Sequence, residues 1–221
     1  MEIDKNPQVP KLNDQAIKLL TDLCFRSDDI IHKVDGIFIF SSTHEIPQLA
    51  AIIDQLLVDH VAEKIFITGG VTKALLAKGL TDTTEADLLL SHLDIDKFPQ
   101  VDFFIEREST NTMENVTFTL ANSDLASCKK LLFIFKCHAA GRGYLTLKKY
   151  LPNTELLQKT FAAKYTDDSS LITKDNWFKS DFAISRVWGE FLRIKTYGIR
   201  GDIAYESVKD LVADIEYIIY Q

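Results

Sequence analysis

The stretch Val34–Ser41 reads VDGIFIFS, and three later stretches share its character: Lys64–Thr68 (KIFIT), Val101–Glu106 (VDFFIE) and Leu131–Lys136 (LLFIFK). Each is a short, nearly unbroken apolar run rich in β-favouring residues, the pattern of a strand buried on both faces. Between them the period changes. Ile46, Leu49, Ala50, Ile53, Leu56 and Leu57 form a helical stripe through 46–60. Further helices are expected around 84–93, 112–127 and 139–150, with a fifth strand at Glu155–Ala162. Alternating strands and helices of this kind predict an α/β fold, a Rossmann-like and mainly parallel sheet with helices on both faces. Right-handed crossovers then carry every strand-to-helix turn to one edge of the sheet, where such folds hold ligands.

Outward from this core the signal becomes helical. Leu12, Ala16, Leu19, Leu20 and Leu23 fall at helical spacing behind Asn13, a good N-cap, so a helix is predicted over 13–25. Phe182, Val187, Phe191, Ile194 and Tyr197 mark a helix interrupted at Gly198 and Gly201. Val208, Leu211, Val212, Ile215, Ile218 and Ile219 make a last amphipathic stripe, read as core packing rather than a subunit contact. Trp177 and Trp188 read as buried aromatics of this helical layer. The expected division is a Rossmann-like domain over 30–165, with 1–29 and 166–221 packed as a small helical subdomain.

The whole chain has 221 residues with 25 Lys+Arg against 32 Asp+Glu, a formal net charge of −7. That balance argues against nucleic acid as a partner, which calls for a positive footprint. Cys24, Cys128 and Cys137 are odd in number and form no CxxC pair, against a disulfide framework or thiolate zinc site. Met1–Pro10 has no apolar signal core, and no apolar run is long enough to span a bilayer. A soluble cytoplasmic protein with no membrane partner is expected; the oligomeric state is left open.

Four polar clusters follow the four strands. Glu106-Arg-Glu-Ser-Thr-Asn-Thr-Met-Glu-Asn115 leaves the third strand and enters a helix. Asn111 and Glu114 have the spacing of an N-cap and a capping box, which accounts for those two residues but not for Glu106, Ser109, Thr112 and Asn115. A helix start carrying so many polar groups also suits a polar or anionic ligand, and both readings stay open. Thr68-Gly69-Gly70 allows either a tight turn or close approach of a ligand to the backbone. Ser41-Ser42-Thr43-His44-Glu45 reads as a helix cap, or as a place where His44 and Glu45 face a cleft. Lys136-Cys137-His138-Ala-Ala-Gly-Arg142 brings Lys136, His138 and Arg142 to the same edge, as a solvated turn or as partners for phosphate or carboxylate. No compact metal motif such as HExxH occurs, so no metal is predicted.

Glu106-x-x-Ser109-x-Asn111-Thr112-x-Glu114-Asn115 matches in full the ExxSxNTxEN signature of the YdcF-like group, within the SanA/ElyC/YdcF superfamily. Ser42-Thr43-His44-Glu45 resembles the family's Ser-His-Asp stretch, Thr68-Gly69-Gly70 its Ser-Gly-Gly turn, and Glu85-Ala86 the Glu-Ala opening the next helix. Lys136–Arg142 with Leu151-Pro152, and GEFLRIKTYGIRGDI at 189–203, extend the likeness over most of the chain. The resemblance implies a Rossmann-like domain with an added helical part and, as the ligand, S-adenosylmethionine. The resulting expectation is binding of a nucleoside-containing small molecule, S-adenosylmethionine or a nucleotide. It would engage Ser42, His44, Glu45, Gly69, Gly70, Glu85, Glu106, Ser109, Asn111, Thr112, Asn115, Lys136 and Arg142. No reaction follows securely. A metal-assisted hydrolase or transferase on a phosphate-containing substrate, with Glu106, His44 and His138 as catalytic candidates, is the first alternative. A non-catalytic regulatory or scaffold protein is the second.

Overall fold

The computed structural model describes residues 3, 4, 6–165 and 170–220. Residues 1, 2, 5, 166–169 and 221, at the ends of the predicted helical segments 1–29 and 166–221, lie outside the described residues.

The chain divides into two compact units. One comprises Asp28–Phe135 and Tyr150–Phe161, the other Met1–Ser27, Lys136–Lys149 and Ala162–Gln221.

In the first unit five strands form one sheet: β1 (Gly36–Phe40), β2 (Lys64–Thr68), β3 (Asp102–Glu106), β4 (Lys130–Lys136) and β5 (Glu155–Phe161), in the order β3-β2-β1-β4-β5. Ile37, Phe38 and Ile39 pair in parallel with Ile65, Phe66 and Ile67 on one side and with Leu132, Phe133 and Ile134 on the other. Every residue of β1 is buried, so the central strand has no solvent face and the sequence needs no polar alternation there. The fold is the expected Rossmann-like α/β arrangement. Its strand order runs outward from β1 to β3 and then restarts beyond β1 with β4, so the topology reverses between β1 and β4.

Around the sheet lie α2 (Ile46–Val58), the four-residue α3 (Lys73–Leu76), α4 (Glu85–Leu90) and α5 (Thr112–Asn122), numbered after the N-terminal α1 (Asp14–Cys24). α5 is shorter than the predicted 112–127. The chain breaks at the extended Ser123 and resumes only as a 3-10 turn at Leu125–Ser127. The α3 turn carries no periodic stripe and is invisible in the sequence pattern.

The second unit is helical: α1, α6 (Ala140–Tyr150, of which 140–149 belong here), α7 (Asp181–Arg200) and α8 (Lys209–Tyr220). Asn13 caps α1 as predicted, its Oδ1 accepting from Ala16 N at 2.8 Å. The core is built from Leu20, Leu23, Trp177, Trp188, Phe191, Ile194, Val212 and Ile215. Trp177 is fully buried and still satisfied, its indole N–H donating to Thr21 Oγ1 at 2.9 Å. The last stripe is core packing, with Val212 and Ile215 fully buried. One expectation needs correcting: α7 is not interrupted at Gly198. A Cβ there would stand 2.1 Å from the Tyr205 ring, so this glycine makes room for an aromatic neighbour and the helix runs on to Gly201. Gly201 ends it in the left-handed conformation, φ +82°. Among the described residues no helix is long and apolar enough to cross a membrane.

Candidate functional site

Three polar turns of the sheet-bearing unit meet at the carboxyl edge. Ser41 N, leaving β1, donates to Thr68 O of β2 at 3.2 Å, and Gly69 N donates to Glu106 O of β3 at 3.1 Å. Parallel pairing extends one residue past each strand and so fastens the turns side by side.

Glu106 holds this edge together. Its Oε1 accepts from Glu108 N at 2.5 Å and Ser109 N at 2.7 Å, while Oε2 accepts from Ser109 Oγ at 2.5 Å and Gly69 N at 3.3 Å. A carboxylate offers about four acceptor positions. All are used inside the turn, and the side chain is 5% exposed. Glu106 therefore folds the 107–109 loop back onto β2 rather than presenting a free oxygen. Gly70 belongs to the same clasp: its N–H donates to Ser109 O at 2.8 Å, and a Cβ on it would lie 2.6 Å from that oxygen and 2.7 Å from Arg107 O. Gly69 has φ +135°, and a Cβ there would come within 2.9 Å of Glu85 Cβ. The close approach for which the glycines make room is thus made by the protein's own backbone and by Glu85. Thr72 Oγ1 donates to Glu85 Oε1 at 3.2 Å, and Arg107 Nε donates to Asp87 Oδ1 at 2.8 Å, fixing α4 to the loop.

At the start of α5, Asn111 is the N-cap, its Oδ1 accepting from Glu114 N at 3.0 Å. The capping box is displaced by one residue. Glu114 Oε2 accepts from Thr110 N and Thr110 Oγ1, both at 2.7 Å, instead of from Asn111. Burial works to raise the Glu114 carboxyl, but the Thr110 bonds prevail and hold it below the usual range. Glu114→Ala should cost about 1 kcal/mol, the worth of a helix cap, read as a lowered midpoint in urea. Asn115 is buried and donates through Nδ2 to Thr68 Oγ1 at 2.8 Å, and Thr68 Oγ1 donates to Ile39 O at 2.9 Å, a chain running from α5 through β2 to β1. Asn111 itself is exposed, and Thr112 is half-buried.

The β1 exit is different in kind. Ser42 is fully buried and accepts from His44 N through its Oγ at 3.0 Å. Ser41 is 5% exposed, and its Oγ has no hydrogen-bond partner among the described residues. Its Cβ lies 3.4 Å from where a Gly69 Cβ would be. α2 then opens on Glu45 in the left-handed conformation, φ 55°, with no side-chain cap. His44 and Glu45 are half-buried. Here alone in the three turns a buried hydroxyl is left over, next to the place where the strand order reverses.

Lys136, His138 and Arg142 fall in the helical unit. Arg142 is spent on Glu190 of α7, Nε to Oε2 at 2.6 Å and Nη2 to Oε1 at 3.3 Å. His138 is 2% exposed and meets Tyr165 OH through Nε2 at 2.8 Å. Burial pushes its imidazole down to about 3, with Lys136, Arg186 and Arg142 adding to the effect and Glu190 opposing it. The Cys137 thiol donates to Ile172 O at 3.0 Å. Sequence reasoning missed Tyr165 and Arg186. The spacing of Arg186, Glu190 and Arg193, one helical face by i, i+4 and i+7, was the available signal.

A cavity of 820 Å³ also lies on the sheet-bearing unit, between the α2 face of Gln48, Ile52, Gln55 and Leu56 and the segment around Ile31. Within its lining Gln55 bonds Asp59, and Asp29 accepts from Gln158 N. Among the described residues no three His, Cys, Asp or Glu side chains stand close enough together to hold a metal ion. Compared with known proteins, the chain matches no family model and no curated sequence.

Proposed function

We propose that this protein is YdcF-like and binds a nucleoside-containing small molecule, S-adenosylmethionine or a nucleotide, at the carboxyl edge of the sheet. The observation that carries the reading is the β1 exit, where Ser41 Oγ is buried without a partner beside a helix start that lacks a side-chain cap. Such a start favours a negatively charged group, the carboxylate of S-adenosylmethionine or the phosphate of a nucleotide. Glu106, Ser109, Gly70 and Asn115 then act as the frame that keeps the β1 and β2 turns in place. In this reading His44 and Glu45 stand at the mouth of the site and Ser41 and Ser42 at its floor.

Isothermal titration of the full chain with S-adenosylmethionine, S-adenosylhomocysteine, ATP and AMP tests it. At least one should bind, and Ser41→Val should weaken that ligand by about tenfold, the effect of losing one buried hydrogen bond. No binding by any of the four, or equal affinity in Ser41→Val, would overturn the reading.

A further inference from the structure

Among the described residues of the helical unit, guanidiniums outnumber carboxylates around Glu190. Arg186, Glu190 and Arg193 share one face of α7, and Arg142 reaches the same carboxylate from α6. Two guanidiniums, those of Arg142 and Arg193, thus hold one buried carboxylate, and Arg186 stands one turn before it on the same helix. Glu190 is taken by Arg142 and by Arg193, and Arg193 also donates to Ile3 O and Asp4 O. Arg186 has no ion pair among the described residues; Glu190 and, less strongly, the exposed Asp4 act on it only through space. Its guanidinium carbon stands over aromatic rings instead, 3.9 Å from the Tyr165 centroid and 5.1 Å from that of Phe182.

Two buried nitrogens in this cluster are without a partner, Arg186 Nε and His138 Nδ1. Both belong to residues in contact with the same Tyr165 ring, His138 through its hydroxyl and Arg186 through its face. Burial keeps the Tyr165 phenol protonated. A neutral imidazole that accepts this proton at Nε2 carries its own on Nδ1. Two N–H donors, one of them charged, are then unmet beside Arg142 and Arg193, where cationic groups outnumber carboxylates among the described residues. A buried polar group without a partner is rare in folded proteins, and two of the same sign of need around one ring point to a common acceptor.

We infer that His138 Nδ1–H and Arg186 Nε–H together hold an anionic oxygen, from a carboxylate or phosphate group of a small ligand, beside Tyr165. Tyr165 sets the imidazole tautomer and supports the guanidinium plane, and Glu190 keeps Arg142 and Arg193 from competing for the anion. This site is independent of the strand-edge reading and stands or falls without it.

The test is nitrogen-15 NMR of the full chain titrated separately with inorganic phosphate, with acetate and, at matched ionic strength, with chloride. Phosphate or acetate should shift the Arg186 Nε–H and His138 Nδ1 resonances saturably, and the tighter of the two names the source of the anion. Arg186→Met, of similar length but uncharged, should weaken the response of His138 by about tenfold or more. Arg186→Lys keeps the charge without the Nε–H and should also weaken it. Shifts produced equally by chloride, shifts confined to the amides of Ile46 and Gln48, or an unmoved Arg186 signal with both anions would each overturn the inference. The wild-type titration decides the matter even if a variant fails to fold.

Discussion

Arg142→Met should destabilise the protein by about 3–5 kcal/mol, the cost of stranding a buried charge. The side chains of Arg142 and Glu190 are 10% and 9% exposed, and the pair is bidentate, so the carboxylate has almost no water to fall back on. Arg193, at 3.4 Å, keeps only a longer hold on the same group. Adding Glu190→Met should recover part of the loss, because it removes the stranded carboxylate while Arg193 keeps its bonds to Ile3 O and Asp4 O. Burial works to raise the Glu190 carboxyl, yet Arg142 and Arg193 outweigh it and hold it down at about 2. A carboxyl so depressed contributes stability that is complete above the ordinary carboxylate range and lost as pH falls through its folded value. The penalty of the single variant should therefore be full at neutral pH and shrink on acidification, as Glu190 becomes able to take a proton. Urea unfolding of both variants at several pH values measures this, and a double variant no more stable than the single one refutes it.

Acid should weaken the wild-type protein well before its carboxylates titrate. The unfolded chain protonates His138 near the ordinary imidazole value of about 6.5, while the folded one resists until about 3. With the folded value lowered, the unfolded state binds more protons between those limits. The stability contribution is thus complete above the upper limit and lost progressively below it, by up to about 1.4 kcal/mol per pH unit. The groups that face the ring are Tyr165, which bonds it, and Lys136, Arg142, Arg186 and Glu190, which act on it through space. Burial is the largest cause of the lowered value; of the four charges Glu190 opposes it, and Lys136, Arg186 and Arg142 add to it. His138→Gln keeps an acceptor for Tyr165 but cannot take a proton, and should flatten the slope between about pH 6 and 4. An unchanged slope in that variant would assign the acid loss to other groups.

The signature around Glu106 was legible as a turn entering a helix, and Asn111 as its cap, because both depend on contacts within a few residues. What the spacing could not show was where the side chains would be spent. Glu106 looks from its sequence like a candidate acid or ligand contact. Folded, it accepts from Gly69 of a neighbouring strand and from its own loop, because parallel pairing sets Thr68 opposite Glu106. Gly70 likewise reads as room for a ligand until the 107–109 backbone fills that room. The reverse holds for Ser41. Nothing in Ser-Ser-Thr distinguishes it from Ser42, yet one hydroxyl accepts a local N–H and the other is buried without a partner.

The sequence alone determined the class of fold, because runs such as GIFIF and LLFIF leave no polar face and can only be satisfied inside a sheet flanked by helices. It also determined the helix starts at Asn13 and Asn111, whose caps reach only three residues ahead. Tertiary structure decided the rest. Strand order, the meeting of Gly69 with Glu106, and the gathering of His138, Tyr165 and Arg186 join residues 21 or more positions apart. Periodicity carries which face of an element is apolar; it carries nothing about which distant polar atom will stand opposite once those faces are buried.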